Sequence, residues 1–184
     1  MILFINACVR KDSRTKRLAD YLLNKFDDEI KEINLENILP LNSEMLNLRT
    51  RLIESKDFNN NIFNYAKDFA KADIIVIAAP FWDLSFPASL KCYIESINVL
   101  GLTFEYSPEG IPYGLCKAKK LYYITTSGGK IFNEEFGFGY IKSLCENFYG
   151  IKDVIFIKAE ELDIIGSDIE KIIKKAKDCI NLSF

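Results

Sequence analysis

The chain has 184 residues, of which 49% are hydrophobic and 27% charged, and its formal net charge is −2. This length and composition predict one domain spanning residues 1–184 and argue against a long disordered tail. No apolar stretch approaches the roughly 20 residues of a membrane helix, and the N-terminal apolar run is too short for a signal peptide, so we expect a cytoplasmic protein that binds no membrane.

Three further features of the composition limit the chemistry. The chain has no histidine, which argues against Ser-His-Asp or Cys-His catalysis and against a zinc site, and we predict no metal. Cofactor-borne redox chemistry is unaffected, because the cofactor carries its own reactivity. Five scattered cysteines without CxxC spacing predict free thiols in a reducing compartment. A pI of about 5.4 argues against nucleic-acid binding.

Predicted strands and helices alternate along the chain. Apolar runs predict strands at residues 2–7, 29–35, 74–79, 121–125 and 154–158. Three- and four-residue hydrophobic spacing predicts helices at residues 18–26, 63–70, 90–99 and 141–148, with a last helix at residues 167–180. Residues 38–58 are predicted to be a surface excursion with some helix. The alternation predicts an α/β fold, a flavodoxin-like doubly wound five-stranded parallel sheet with helices on both faces.

The loop after the first strand is strongly basic. Residues 10–17, the basic loop, hold five basic side chains and one acid in a chain of net charge −2. They open the first helix, where free N–H groups and the hydroxyls of Ser13 and Thr15 suit a phosphate of about two negative charges, and Arg10 is the predicted charge partner. The absence of GxGxxG and GxxxxGK[ST] favours a mononucleotide over a dinucleotide. A solvated loop in which Ser13 or Asp12 caps the helix is the alternative.

Two more loops follow predicted strands. The aromatic loop, residues 80–84, places Phe81 and Trp82 after the third strand. Ligands of open parallel sheets bind outside the carboxyl ends of the strands, so this loop predicts a planar ligand, with a core position for Trp82 as the alternative. The glycine turn, residues 126–129, lets the backbone approach that ligand, and an ordinary turn is the alternative.

Residues 78–115 resemble the flavin-dependent NAD(P)H:quinone oxidoreductases and azoreductases of flavodoxin-like fold. The matching positions are Pro80 to Pro87, Leu90 and Lys91, Gly101 to Tyr106, Gly110, Gly114 and Leu115. The basic loop resembles the phosphate loop of the same family, in which a Ser-x-Ser/Thr pair opens the first helix. Here Ser13 and Thr15 form that pair, with Arg14 between them.

The resemblance implies an enzyme that binds FMN tightly and passes two electrons from NADH or NADPH to quinones, azo compounds or nitroaromatics by a ping-pong mechanism. It implies a homodimer in which the partner's residues at the positions of Tyr106 and Phe148 help to form the substrate pocket. Together with the basic loop and the glycine turn, the resemblance gives the predicted cofactor contacts, and no residue is assigned as catalytic. They are Arg10, Ser13, Arg14, Thr15, Pro80, Phe81, Trp82, Asp83, Leu84, Thr126, Ser127, Gly128 and Gly129.

The sequence departs from the family pattern at Asp83, and two functions other than that of the enzyme are compatible with it. Asp83 stands where many family members have Asn, and an acid there would disfavour a negatively charged reduced flavin. A non-enzymatic flavodoxin-like electron carrier would use FMN to pass electrons to a protein partner. A regulatory or binding module of the same fold would hold no flavin.

Overall fold

The structure is a computed structural model that describes residues 1–183, so Phe184, the end of the predicted domain, lies outside the described residues. Its strands are β1 (Ile2–Asn6), β2 (Ile30–Asn34), β3 (Ile74–Ala78), β4 (Phe104–Tyr106), β5 (Pro112–Gly114), β6 (Lys120–Thr126) and β7 (Asp153–Ala159). Five of them form a parallel sheet in the order β2-β1-β3-β6-β7, and each overlaps a predicted strand. This is the flavodoxin-like order once the β4–β5 hairpin is set aside.

Helices cover both faces of the sheet. They are α1 (Arg14–Leu23), α2 (Ser43–Glu54), α3 (Asn64–Lys71), α4 (Ala88–Ile97), α5 (Tyr140–Leu144) and α6 (Ile169–Leu182). Leu18 of α1 and Ile180 of α6 share one buried cluster, while Phe69 of α3 and Ile94 of α4 belong to another. Successive residues of β3 alternate between the two clusters because side chains of a strand point to opposite faces. The predicted fold class is therefore confirmed.

Two helices differ from their predicted bounds by more than two residues. Helix α1 begins four residues early, because Ser13 caps it in an extended conformation, and it ends at Leu23 rather than at residue 26. The helix predicted at residues 141–148 is split: α5 has only five residues and continues into a π-helical turn, Cys145–Tyr149. Gly150 ends that turn with φ 71°, a left-handed conformation that glycine adopts without a Cβ penalty.

The segment at residues 101–115 contains a small hairpin that the sequence reasoning did not predict. Strands β4 and β5 pair antiparallel, with Phe104 opposite Gly114. A side chain at Gly114 would overlap the backbone of Tyr149 and Gly150, so the hairpin lies directly on the end of the π-helical turn Cys145–Tyr149. Glycine is required at Gly114 by this close approach.

The excursion at residues 38–58 contains α2, as the sequence suggested, and α2 has no buried residue. Its Arg49 donates hydrogen bonds to the carbonyl oxygens of Glu95, at 2.7 Å, and of Asn98, both at the C-terminal end of α4. A guanidinium group in that position satisfies carbonyls that the helix leaves without partners. No helix within residues 1–183 combines the length and apolar character needed to cross a membrane.

Candidate functional site

A cavity of about 690 Å³ lies at the carboxyl ends of the parallel strands. Four loops line it, through residues 10–15, 80–82, 126–128 and 162–163, which follow β1, β3, β6 and β7. The volume is within the range of small-molecule sites. Strands β1 and β3 are adjacent in the sheet, and it is here that the strand order reverses, the place where open α/β sheets bind ligands.

The basic loop presents free backbone donors to this cavity. The Ser13 hydroxyl accepts a hydrogen bond from the Lys16 N–H at 3.2 Å, so it serves as the N-cap of α1. Within residues 1–183 the N–H groups of Arg14 and Thr15 have no acceptor. These are donors that every helix leaves unpaired at its N-terminus, where the helix dipole favours an anion. The loop therefore both caps its helix and keeps two N–H groups for a ligand.

The cations of the basic loop fall into two groups. Arg10 and Lys11 are exposed at the cavity and form no ion pair with any described residue. Arg14 is engaged: its Nη1 donates to the Asp163 carboxylate at 2.7 Å and to the Leu162 carbonyl at 3.4 Å. Arg10 is therefore available to a ligand in the cavity, whereas the Arg14 side chain is already paired.

Thr15 connects the basic loop to the glycine turn. Its Oγ1 lies 2.7 Å from Oγ1 of Thr126, and both side chains are buried. A hydroxyl pair of this kind satisfies both groups without water. Thr15 and Thr126 therefore join the loops after β1 and β6, and each hydroxyl is used by the protein itself.

The aromatic loop ends in a tight turn of unusual conformation. The N–H of Trp82 donates to the Ser85 carbonyl at 3.2 Å, and the Ser85 N–H donates back to the Trp82 carbonyl at 2.7 Å. Between them Asp83 has φ 49° and Leu84 has φ 67°. Two consecutive positive φ values are the signature of a type I′ turn, which favours Asn and Gly and is strained for a bulky residue such as Leu.

The aromatic loop contributes only its first part to the cavity. Pro80, Phe81 and Trp82 line it, whereas Asp83 and Leu84 do not. The Phe81 N–H donates to the Thr126 carbonyl at 3.0 Å, which fixes the loop against the glycine turn. Trp82 is 39% exposed, so it is not the core aromatic of the alternative reading.

The glycine turn is paired along its length with the loop after β7. The Ser127 carbonyl accepts from the Leu162 N–H at 3.2 Å, and the Gly128 carbonyl accepts from the Asp163 N–H at 2.9 Å. A Cβ on Gly128 would overlap the Asp163 carboxylate. Gly129 does not line the cavity, although Thr126, Ser127 and Gly128 do.

Sequence reasoning missed four lining residues. Lys11 and Asp12 belong to the basic loop but were not predicted to contact the ligand, and Leu162 and Asp163 follow β7. The signal for the second pair was present, because β7 was predicted and the carboxyl ends of parallel strands lie at one edge. The β7 loop carries no aromatic, glycine or basic motif, so nothing in its composition marked it.

Tyr106 and Phe148 lie together, away from the cavity of their own chain. Both rings pack edge-on against Phe104, with ring centroids 5.6 Å and 4.8 Å away. Tyr106 is 46% exposed.

A second, apolar hollow of about 670 Å³ opens beside the aromatic loop, lined by residues that include Ser85, Phe86 and Phe136. The Ser85 hydroxyl donates to the Phe136 carbonyl at 2.6 Å, so the hollow adjoins the type I′ turn.

The site holds no reactive thiol and no group of metal ligands among the described residues. Cys8 is close to the basic loop, but burial raises the pKa of its thiol and keeps it protonated. The arrangement is therefore suited to binding rather than to nucleophilic chemistry: it combines a cationic helix terminus, aromatic side chains and backbone donors around one cavity.

Comparison with known proteins gives a consistent result. The model of the Flavodoxin_2 family, described as having a flavodoxin-like fold, matches residues 1–181. The chain is 40% identical to an FMN-dependent NADH:quinone oxidoreductase 2 of Clostridium acetobutylicum, with 96% of each chain covered. It is 37% identical to an FMN-dependent NADH:quinone oxidoreductase of Clostridium perfringens, over 95% of this chain and 92% of that one. A solved azoreductase of Bacillus anthracis superimposes with a TM-score of 0.83 at 25% identity, covering 99% of this chain and 97% of the other.

Proposed function

Because the chain belongs to the Flavodoxin_2 family of flavodoxin-like fold, we propose that it is an FMN-dependent oxidoreductase. It takes two electrons from NADH or NADPH and passes them to quinones, azo compounds or nitroaromatics. The observation that carries the proposal is that a cationic helix N-terminus and an exposed aromatic loop line the same cavity. A ligand with a phosphate and a flat ring matches both at once.

The phosphate fits the basic loop on chemical grounds. The unpaired N–H groups of Arg14 and Thr15 supply hydrogen bonds, and the free cation of Arg10 supplies charge. Charge-assisted hydrogen bonds of this type are about twice as strong as neutral ones. The Ser13 hydroxyl, which already accepts from the Lys16 N–H, keeps its own proton to donate.

The flavin ring fits between the aromatic loop and the glycine turn. Trp82 offers a flat, partly exposed ring at the cavity wall, and the turn at Ser127 and Gly128 brings the backbone to that wall. Backbone donors at the edge of the ring stabilise negative charge that develops there, because they are already oriented before the charge appears. Asp83 lies outside the lining, so its backbone conformation shapes the turn while its carboxylate does not line the cavity.

FMN, when bound, supplies the hydride chemistry, which needs no histidine or nucleophile from the protein. The residues of the chain bind and orient the cofactor. The basic loop would hold the phosphate, and Phe81 and Trp82 would line the part of the cavity that takes the ring. One cavity serves the nicotinamide and the acceptor in turn, which is the basis of the proposed ping-pong order. The protein's contribution is alignment and exclusion of water from that space.

The proposal includes a homodimer. The β4–β5 hairpin exposes apolar side chains at Tyr106 (46%), Ile111 (64%) and Tyr113 (48%), and an exposed apolar patch of this kind supports an interface. Tyr106 and Phe148 then belong to the substrate pocket of the partner rather than to the cavity of their own chain.

We also propose one FMN-binding domain over residues 1–184 and, from the free cysteines, a cytoplasmic location.

An anaerobic two-step experiment tests the function. The protein is freed of flavin, reconstituted with FMN, mixed with NADH or with NADPH, and then mixed with a quinone or an azo dye. We expect the flavin absorbance to bleach in the first step and to return in the second. Steady-state rates measured at several concentrations of both substrates should give parallel double-reciprocal lines, as a ping-pong order requires.

Two outcomes would contradict the proposal. A protein that does not retain FMN would be the flavin-free binding module instead. A protein that retains FMN but shows little steady-state oxidation of either nicotinamide, with or without acceptors, would be an electron carrier.

A further inference from the structure

We propose that Asp163 is a specificity-determining residue of the phosphate end: its carboxylate occupies Arg14 and so lowers the preference of the site for phosphorylated over unphosphorylated flavins. The inference rests on the proposed function, because it concerns how the same cavity binds its cofactor. Asp163 comes from the loop after β7 and lines the cavity together with Arg14.

The geometry makes Asp163 an internal anion for the basic loop. Its Oδ1 lies 2.7 Å from Nη1 of Arg14, which is the first residue of α1. A cation in the first turn of a helix lies beside the positive end of the helix dipole, so this position favours a negative partner. Asp163 supplies that negative charge from within the chain, at the terminus where the phosphate of FMN is proposed to bind.

The ion pair between Arg14 and Asp163 is weak enough for another anion to replace the carboxylate. The side chain of Arg14 is 38% exposed and that of Asp163 is 68% exposed, so water and salt compete with the bond between them. A phosphate carries about two charges and three acceptor oxygens, which the planar guanidinium can meet with two parallel hydrogen bonds. Bound phosphate therefore competes with Asp163 for Arg14, and the carboxylate opposes the phosphate both as a competitor and by repulsion.

Asp163 is held in this position by Gly128. The Asp163 N–H donates to the Gly128 carbonyl at 2.9 Å, and its side chain lies where a Cβ on Gly128 would be. The backbone bond does not depend on the carboxylate, so Asp163→Asn keeps the loop in place and keeps the size of the side chain. The substitution removes only the negative charge that holds Arg14.

The test measures phosphate preference directly. Flavin-free protein is titrated with FMN and with riboflavin, which has the same ring without the phosphate, and quenching of flavin fluorescence gives both dissociation constants. We expect Asp163→Asn to lower the dissociation constant for FMN about three- to tenfold and to leave that for riboflavin unchanged, because one charge-assisted contact to phosphate becomes available.

Asp12→Asn is the matched control. Asp12 also lines the cavity and forms no ion pair with a described residue, so its replacement changes the charge equally without releasing Arg14. The effect of Asp163→Asn should exceed that of Asp12→Asn, and the excess should vanish when both are compared in an Arg14→Gln background. Equal effects of the two substitutions, an unchanged FMN preference, or a weaker one in Asp163→Asn would each overturn the inference.

A readout without flavin separates this inference from the proposed function. Inorganic phosphate should raise the melting temperature of flavin-free Asp163→Asn at a lower concentration than it does for the unaltered protein. If the unaltered protein binds neither flavin, the proposed function fails while the phosphate experiment still decides the role of Asp163. If FMN binds and phosphate stabilises both proteins equally, the role of Asp163 fails alone.

Discussion

The basic loop and the aromatic loop bound the same cavity but are built by opposite means. The basic loop uses ordinary backbone: Ser13 has φ −65° and ψ 120°, and α1 starts directly after it. The aromatic loop uses a turn in which two successive non-glycine residues, Asp83 and Leu84, have positive φ. Charge binding at a helix terminus needs no special conformation, whereas presenting an aromatic side chain at a strand end here requires backbone strain, which is typical of functional loops.

The Thr15–Thr126 hydroxyl pair joins the basic loop to the glycine turn, and the aromatic loop is bonded to the same turn through the Phe81 N–H and the Thr126 carbonyl. Breaking this pair gives the largest expected effect on stability. Thr126→Val keeps the shape of the side chain but leaves the hydroxyl of buried Thr15 without its partner. We expect a loss of about 2 kcal/mol in the free energy of unfolding, the usual cost of a buried unpaired polar group. Urea denaturation of the flavin-free protein measures it.

The double variant Thr15→Val/Thr126→Val is the control. Replacing both partners with apolar groups of the same shape leaves no polar group unpaired, so the double variant should be more stable than the sum of the single effects predicts. Strictly additive losses would mean that the two hydroxyls do not depend on each other, and the loops after β1 and β6 would then not be joined at this point.

Arg10 gives the next largest effect, on the basic loop alone. Arg10→Ala should weaken FMN binding about tenfold at low salt, because an exposed cation at the cavity is removed from the phosphate, and the difference should shrink as ionic strength rises. Riboflavin binding should not change. Fluorescence titrations at several salt concentrations measure both ligands.

Arg17→Ala removes an equal charge from the same loop, but Arg17 does not line the cavity. It should therefore cost less FMN affinity than Arg10→Ala. FMN retention by Arg10→Ala that matched the unaltered protein at every ionic strength would show that Arg10 is not the phosphate partner.

The two regions also differ in how far sequence could predict them. The concentration of charge after a predicted strand was enough to single out the basic loop as the proposed phosphate site, because charge and position are both visible in the sequence. The family resemblance in residues 78–115 is confirmed by the family model over residues 1–181. The type I′ turn was not foreseen, because neither Asp83 nor Leu84 is glycine, and a turn of this type is normally recognised by Asn-Gly or Gly-Gly.

Contacts between residues that are far apart in the chain could not be predicted from local sequence patterns. Arg14 is separated by 149 residues from the carboxylate that it binds. The hairpin β4–β5 depends on Gly114 meeting the backbone of Tyr149 and Gly150, and no local pattern encodes that approach. The strands and most helices were predictable because burial imposes a period on them, whereas the hydrophobic period does not distinguish the α-helical turn of α5 from the π-helical turn that follows it.

Substitution of Trp82 tests the aromatic loop alone, and its expected effect on flavin affinity is smaller than that of Arg10→Ala. It is the only tryptophan of the chain and lines the cavity, so its emission should be quenched equally by saturating FMN and riboflavin. Trp82→Ala should weaken both ligands by about 1 kcal/mol, the usual size of an aromatic ring contact, without changing the ratio of their dissociation constants. Trp82→Phe should keep most of the affinity. Unchanged riboflavin binding in Trp82→Ala would place the ring elsewhere.

The smallest effect concerns strain in the type I′ turn. Leu84 is 57% exposed, so Leu84→Gly loses little buried surface and relieves a left-handed conformation that a bulky side chain disfavours. The gain is reduced because glycine is more flexible in the unfolded chain. We expect a net stabilisation of about 0.5 kcal/mol, or roughly 1 °C in melting temperature, measured by calorimetry of the flavin-free protein. Riboflavin affinity should fall slightly, because the turn holds Trp82 less firmly.

Asp83→Gly distinguishes strain from a general effect of glycine. Asp tolerates the left-handed region better than Leu does, so its replacement relieves less strain and should raise the melting temperature less, or not at all. Equal stabilisation by both substitutions would mean that Leu84 is not strained. A lower melting temperature for Leu84→Gly would mean that the exposed side chain contributes more than its backbone conformation costs, and the aromatic loop would then resemble the basic loop in being an unstrained structure.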